Sequence, residues 1–288
     1  MRVSSLITIA STVLASAVSA VPARRDAETS IICNLAWSNS GQAMNTSCVG
    51  ADVIFADPMT ADERVNSSLK THTYGGRAVD VMAYLSVGTV NPLYAPDSRL
   101  VELGWKQNLD QNSEGELWGD YVFNPDELVT KVLPVMKDII SSYKALGYTM
   151  ISSDNAKPST AVTENDAQAA QYAANDRIDP RYVEYMQQIV DYAHSIGVKV
   201  TLKNPSYYVN EPTVIDDFDA YIIESMFNYY PWDVDTNEPI LYSTKPVWLF
   251  QYPGINGLTE EMLKEYMVER DIHLVYLDST TGYHQFTA

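Results

Sequence analysis

The sequence predicts an α/β fold, a single-domain (β/α)8 barrel of the TIM type, and three observations carry that reading. Short apolar runs begin near residues 52, 81, 118, 149, 198, 219, 246 and 273. Where the helical signal is clear, a helix separates consecutive runs, which is the pattern of a parallel sheet. The runs end on polar or ionisable residues, as barrel strands do when their carboxyl ends open into a site. A doubly wound open sheet usually has fewer strands and a phosphate-binding glycine loop. The chain holds neither a G-x-G-x-x-G nor a P-loop.

Taken in order, residues 1–20 carry one early charge, Arg2, then apolar and small residues ending in Val18-Ser19-Ala20. That is the pattern of a signal peptide, too short for a spanning helix. Arg24-Arg25 follows as a candidate dibasic processing site, which makes residues 21–25 a short pro-segment and 26–288 the barrel domain. The two cysteines, Cys33 and Cys48, lie just beyond. In an oxidising compartment an even pair predicts one disulfide, here closing an N-terminal extension. Asn45-Thr46-Ser47 and Asn66-Ser67-Ser68 are glycosylation sequons, meaningful because the leader directs the chain to the right compartment.

Asp52-Val53-Ile54-Phe55-Ala56-Asp57 is the first apolar run, closed by Pro58; a weak helix is expected over 60–71, broken at Gly75-Gly76. Residues 79–87 form the second run, closed by Gly88, and Leu117-Trp118-Gly119-Asp120-Tyr121-Val122 is a third strand candidate. Asn124-Pro125 starts a helix, with a capping side chain and then proline at the first position. Leu128, Val129, Val132, Met136, Ile139, Ile140 and Tyr143 give it one apolar face, Pro134 should kink it, and Gly147 stops it. Tyr148 to Ser153 reads as a buried strand ending on Asp154-Asn155. The polar stretch 156–176 is longer than a usual connection, so it is a functional loop or carries a short helix. Asp179-Pro180 opens the next helix, with Tyr182, Tyr185, Met186, Ile189, Val190 and Ala193 inward and Gly197 at its end. Runs then lead to Lys203-Asn204, Glu224, Gln251-Tyr252 and Asp278. Ten residues after Asp278 are too few for a full eighth helix, which leaves residues 26–48 to cover that gap.

Composition narrows the function. The formal charge of −18 makes nucleic acid an unfavourable partner and suits a cationic or neutral one. No stretch after the leader is apolar enough to span a bilayer. His72, His194, His273 and His284 are scattered, with no H-x-H and no H-E-x-x-H, and no G-x-S-x-G elbow appears. Neither a histidine-held metal nor a serine nucleophile is predicted, and no cofactor is required. The strand ends, read in order, are Asp57, Ser86, Asp120, Asp154-Asn155, Lys203-Asn204, Glu224, Gln251-Tyr252 and Asp278. Any one of these acids can serve instead as a helix cap; so many on one rim exceed what packing alone needs. Tyr84, Trp118, Phe227, Tyr229, Tyr230, Trp232 and Trp248 lie nearby in sequence, and flat aromatic faces suit sugar rings. Acid pairs are the machinery of glycoside hydrolysis, one protonating the leaving oxygen and the other attacking the anomeric carbon or activating water.

The series Ala83-Tyr84-Leu85-Ser86-Val87-Gly88, Gly115-Glu116-Leu117-Trp118-Gly119-Asp120, residues 147–155, Val200-Thr201-Leu202-Lys203-Asn204, Ile223-Glu224-Ser225-Met226-Phe227 and Lys245-Pro246-Val247 resembles glycoside hydrolase family 114. These are secreted β/α barrels of the endo-α-1,4-polygalactosaminidase type, and the motif order matches from about Asp52 onward. The resemblance implies an acid pair at Asp154 and Glu224, with Asp57, Tyr84, Glu116, Asp120, Lys203, Asn204 and Tyr252 lining the cleft. To these the strand-end reading adds Asn155 and Asp278. The chain departs from the family at Ser152-Ser153, where Glu-Pro is usual, and at Thr89-Val90-Asn91-Pro92, which lacks the family's Trp and Arg. Both departures are expected on the substrate face. The expectation is a secreted, monomeric glycosidase that cuts α-linked, galactosamine-containing polysaccharide. The alternatives are a non-catalytic carbohydrate-binding barrel and a glycosidase of neutral glycans.

Overall fold

A computed structural model of the 288-residue chain describes residues 32–34, 51–61, 63–110, 115, 117–229, 232–241, 243–251, 259, 261–263, 265–266, 273–278 and 282–286. The expected leader, the 21–25 segment, Asn45, Cys48, Glu116 and Tyr252 lie outside these residues.

Eight parallel strands form one sheet in chain order: β1 (Ile32–Asn34), β2 (Val53–Ala56), β3 (Asp80–Ser86), β4 (Met150–Asp154), β5 (Lys199–Lys203), β6 (Ala220–Glu224), β7 (Val247–Gln251) and β8 (His273–Asp278). A ninth, β9 (Gly282–Phe286), returns antiparallel to β8. Because strand side chains alternate, the sheet separates its apolar residues into two cores. Ile32, Val53, Phe55, Met82, Met150, Ala220, Ile222, Trp248 and Phe250 pack together inside, with Tyr84 against them. Ile54, Val81, Ala83, Leu85, Ile151, Val200, Leu202, Tyr221, Ile223, Val247 and Leu249 face outward into the helical layer. Phe55 on β2 and Phe250 on β7 meet with ring centroids 5.9 Å apart, although four strands intervene between them in the sheet. A flat sheet cannot bring those rings together; this one is curled around its interior as a nearly closed barrel.

Helices lie between the strands. α1 (Glu63–Thr71) follows β2, α2 (Leu133–Leu146) precedes β4, and α3 (Pro180–Ser195) precedes β5. α3 begins as its residues dictate: the Asp179 carboxylate accepts the Arg181 backbone N–H, and Pro180 occupies the first turn, where its missing N–H costs nothing. Its predicted inward face is buried throughout. Ahead of α2 the chain winds as a wide turn over Leu128–Val132. Pro134 therefore falls in the first turn of α2 rather than inside a continuous helix, and the expected kink becomes a change of winding. The polar stretch after β4 carries two short helices, Thr160–Asn165 and Ala167–Ala173. Arg181 ties it to the barrel by binding Asp166 (3.0 Å), Asp126 (2.6 Å) and the fully buried Asp179 (2.5 Å).

Two expectations need correction. The stretch Leu117 to Val122 supplies no barrel strand. Gly119 turns the chain at φ 78°, and Tyr121–Phe123 instead joins Thr89–Val90 and Gly104–Gln107 in a small antiparallel sheet. A glycine at 104 is required there, since a Cβ would lie 2.9 Å from that of Tyr121. The eighth parallel strand is β1. Cys33 therefore belongs to the barrel wall, buried at 5 % exposure, rather than to a disulfide-closed extension outside it.

Candidate active site

Inward positions repeat every second residue, so the last inward residue of each strand stands at the mouth of the barrel. On β4, β5 and β6 those residues are Asp154, Lys203 and Glu224, and on β3 the last two inward positions are Tyr84 and Ser86. Lys203, with a side chain only 1 % exposed, places its Nζ 2.9 Å from Asp154 Oδ2 and 3.1 Å from Glu224 Oε2. The Tyr84 hydroxyl donates to the same Asp154 oxygen at 3.0 Å, and the Lys203 ammonium lies 5.4 Å from the Tyr84 ring centroid. Asp154 Oδ1 accepts the Asn155 backbone N–H at 2.9 Å.

These contacts decide the charges. Burial alone would raise the Asp154 pKa. The Lys203 charge and hydrogen bond, the Asn155 N–H and the Tyr84 hydroxyl together hold it below the ordinary carboxylate value. Burial likewise opposes the Lys203 ammonium, but Asp154 and Glu224 reverse this and keep it above its ordinary value. Tyr84 is pushed well up by burial and then by Asp154, so it remains a donor. At neutral pH the site contains a carboxylate, a protonated lysine and a protonated phenol. Asp120 behaves oppositely to Asp154: desolvation raises its pKa, and Asp154 adds to the rise, against hydrogen bonds from Asn91 and Thr89.

The loops after the strands complete the constellation. Asn155, Asn204 and Ser225 follow β4, β5 and β6 directly, with φ of 54°, 50° and 54°. Asparagine tolerates that left-handed backbone better than most residues. Asn204 Oδ1 accepts the Glu224 backbone N–H at 2.9 Å. Asn155 Nδ2 donates to Ser86 Oγ (3.0 Å) and Thr89 Oγ1 (3.1 Å), and Thr89 donates in turn to Asp120 Oδ2 (3.2 Å). The β3 loop approaches so closely that a Cβ on Gly88 would fall 1.8 Å from the Asn155 carbonyl oxygen.

Of the residues expected at the site, Asp154, Glu224, Lys203, Tyr84, Asn155, Asn204 and Asp120 are brought together. Asp57 is not among them: its carboxylate accepts the Met59 N–H (2.9 Å) and the Thr60 hydroxyl (3.1 Å) in its own turn. It also adds to the raised pKa values of Tyr143 and Tyr148, second to burial in both. Asp278 ends β8 opposite Gly282 of β9. Ser152 and Ser153, expected to face substrate, are fully buried; Ser153 donates to the Thr201 carbonyl at 2.8 Å. Thr89 and Asn91, expected on the substrate face, do lie beside this cluster, with Gly88 packed on Asn155. Their signal was the polar break after the second apolar run, with Ser86 and Thr89 three residues apart around a glycine. Among the described residues no group of three or more His, Cys, Asp or Glu could hold a metal ion, and no helix is long and apolar enough to cross a membrane.

The sequence model of glycoside-hydrolase family GH114 matches residues 12–275. Comparison with curated proteins gives no match. Among solved structures, Ega3 of Aspergillus fumigatus, determined in complex with galactosamine, superposes with a TM-score of 0.62 at 18 % identity, covering 93 % of this chain and 98 % of that one. The glycoside hydrolase domain of PelA from Pseudomonas aeruginosa gives 0.56 at 11 % identity, covering 90 % and 98 %. At these identities the likeness is one of fold.

Proposed function

The chain belongs to glycoside-hydrolase family GH114, and we propose that it cleaves α-1,4-linked galactosamine-containing polysaccharide with Asp154 as nucleophile and Glu224 as acid and base. The observation that carries this reading is the single ammonium of Lys203 held between the two carboxylates. Their bonded oxygens can be no farther apart than those two contacts end to end, which brings the two carboxyl groups to one reacting centre. Carboxyl groups drawn together by one ammonium suit retention, whose pairs are the closer of the two kinds. Asp154, held ionised, attacks the anomeric carbon as the C–O bond breaks, while the protonated form of Glu224 gives its proton to the departing oxygen. Glu224 then takes a proton from water, whose oxygen displaces Asp154 from the sugar. Lys203 and Tyr84 hold the attacking carboxylate in place.

The choice of an amino sugar is supported by charge. In this cluster Asp154, Glu224 and Asp120 face one lysine, and the chain as a whole is strongly acidic. The galactosamine in the Ega3 structure agrees with it. Incubation with a panel of α-linked amino-sugar and neutral polymers, followed by product sizing and NMR of the first-formed anomer, tests the reading. Asp154→Asn and Glu224→Gln should each lower turnover by at least about 10²-fold. Near-normal turnover in both variants would remove the assignment, and cleavage of neutral polymers alone would redirect the substrate.

The same proposal includes export as a monomer after removal of residues 1–20, with the mature chain beginning at Val21 or Asp26, which N-terminal sequencing of medium protein reads directly. Among the described residues no cysteine is free, which supports a Cys33–Cys48 bond. Asn66 is exposed on α1 and available to carry a glycan.

A further inference from the structure

Large apolar side chains are exposed near the catalytic mouth in one tied group. Leu93 is 82 % exposed, Tyr94 61 %, Trp118 58 % and Leu117 41 %. They come from two separate loops, and one side chain binds those loops together. Asn91 Oδ1 accepts the Leu93 backbone N–H at 2.9 Å, its carbonyl accepts the Tyr94 N–H at 3.0 Å, and its Nδ2 donates to the Trp118 carbonyl at 3.0 Å. Gly119, at φ 78°, then reverses the chain, so that Trp118 stands outward while Asp120 turns in, half-buried.

The group is also wired to the reacting carboxylate. Asn91 bonds Asp120, Asp120 accepts from Thr89, Thr89 accepts from Asn155, and the Asn155 N–H bonds Asp154. Isolated exposed apolar residues are ordinary, but several on two loops that one side chain ties together beside a site mark a binding surface. Tryptophan and tyrosine offer flat apolar faces with a polar edge, which match the C–H face and hydroxyl rim of a pyranose. The nearby acids Asp120 and Asp110 favour a cationic occupant over an apolar peptide or a lipid surface.

We propose that Trp118 and Tyr94, braced by Asn91, form a stacking platform for sugar rings of the galactosamine chain beyond the ring being cleaved. This rests on the substrate reading above and extends it. A platform outside the cleft binds long chains and has nothing to grip in short ones, so it makes the enzyme measure chain length.

The test compares wild type with the Trp118→Ala/Tyr94→Ala double variant on galactosamine oligomers of graded length and on the polymer, with Trp118→Phe as the conservative control. Wild-type kcat/KM should rise with oligomer length, and the double variant should lose that rise through KM, by about tenfold on the polymer, the size expected for one to two ring contacts. Trp118→Phe should recover most of it. A double variant that keeps the wild-type length dependence, with unchanged KM on the polymer, overturns the platform and leaves the substrate reading intact. A wild type that neither binds nor cuts any galactosamine chain overturns the substrate reading, and the platform with it.

Discussion

Lys203 is a buried cation whose presence makes sense only with its two partners. Removing one member of a buried ion pair leaves an uncompensated charge, at a cost of about 3–5 kcal/mol. Lys203→Met keeps the chain's length and apolar stem, so thermal unfolding should report that loss, and the acid limb of the pH–rate profile should move upward as Asp154 loses its cation. An unmoved acid limb would show that Lys203 does not control Asp154. The stability sign follows from the directions of the shifts. The lowered Asp154 contributes stability that is complete above the ordinary aspartate pKa of 3.8 and is lost as pH falls below it. The raised Lys203 contributes stability that is complete below 10.5 and is lost as pH climbs through its folded value. This cluster should therefore hold stability level across the neutral range, with losses confined to strong acid and strong base. At this scale much was legible, because Asp154, Lys203 and Glu224 each end an apolar run and a barrel carries such ends to one rim. Asp57 ends a run in the same way but is followed by Pro58, and the turn that proline begins takes up its carboxylate. Ser152 and Ser153 were misplaced because neither residue type announces its side: one fills the interior and the other bonds the neighbouring strand.

Three consecutive strands, β4, β5 and β6, deliver a functional residue and then break into a left-handed residue. A non-glycine residue there costs roughly 1–2 kcal/mol, and such strain persists where surrounding contacts over-determine it. Asn155 and Asn204 are fixed by their side-chain bonds, and the Asn155 carbonyl additionally packs against Gly88. Gly88→Ala puts a methyl carbon where that oxygen stands, so Asn155 or the β3 loop must move. The expected result is a loss of about 1–3 kcal/mol of stability, the usual range for overpacking, and a fall in kcat of at least about tenfold, since Asp154 shares its backbone with Asn155. Wild-type kcat in this variant would mean that the β3 loop carries no positional information for Asp154. Strand identity was readable wherever a long apolar run met a glycine or a capped helix, as at β3, β4 and β5. It failed at β1, where three residues give too short a run for any periodicity. It failed also at Leu117 to Val122, where an apolar stretch of the right length contains a glycine whose positive φ only the fold reveals.

The whole chain carries a formal charge of −18, and the proposed removal of residues 1–25, with Arg2, Arg24 and Arg25, would make it more negative still. A field of that size reaches a polycationic chain before any contact forms and raises its local concentration at the barrel mouth. Its range is set by salt, with a screening length of about 10 Å at 0.1 M and about 3 Å at 1 M. The Asp154–Lys203–Glu224 cluster is buried and is screened far less, so the two contributions separate experimentally. On a galactosamine polymer, kcat/KM should fall steeply as ionic strength rises, while kcat at saturating substrate changes little. N-acetylation of the polymer removes its charge and leaves its ring shape nearly intact; on that substrate the salt dependence should disappear. A kcat/KM that is flat in salt for the charged polymer would mean that recognition is carried by contacts within the mouth and that the acidity serves solubility alone. A steep dependence in kcat as well would place a screened, exposed group among the catalytic residues, against the burial of Lys203 and the low exposure of both carboxylates at 15 % and 19 %.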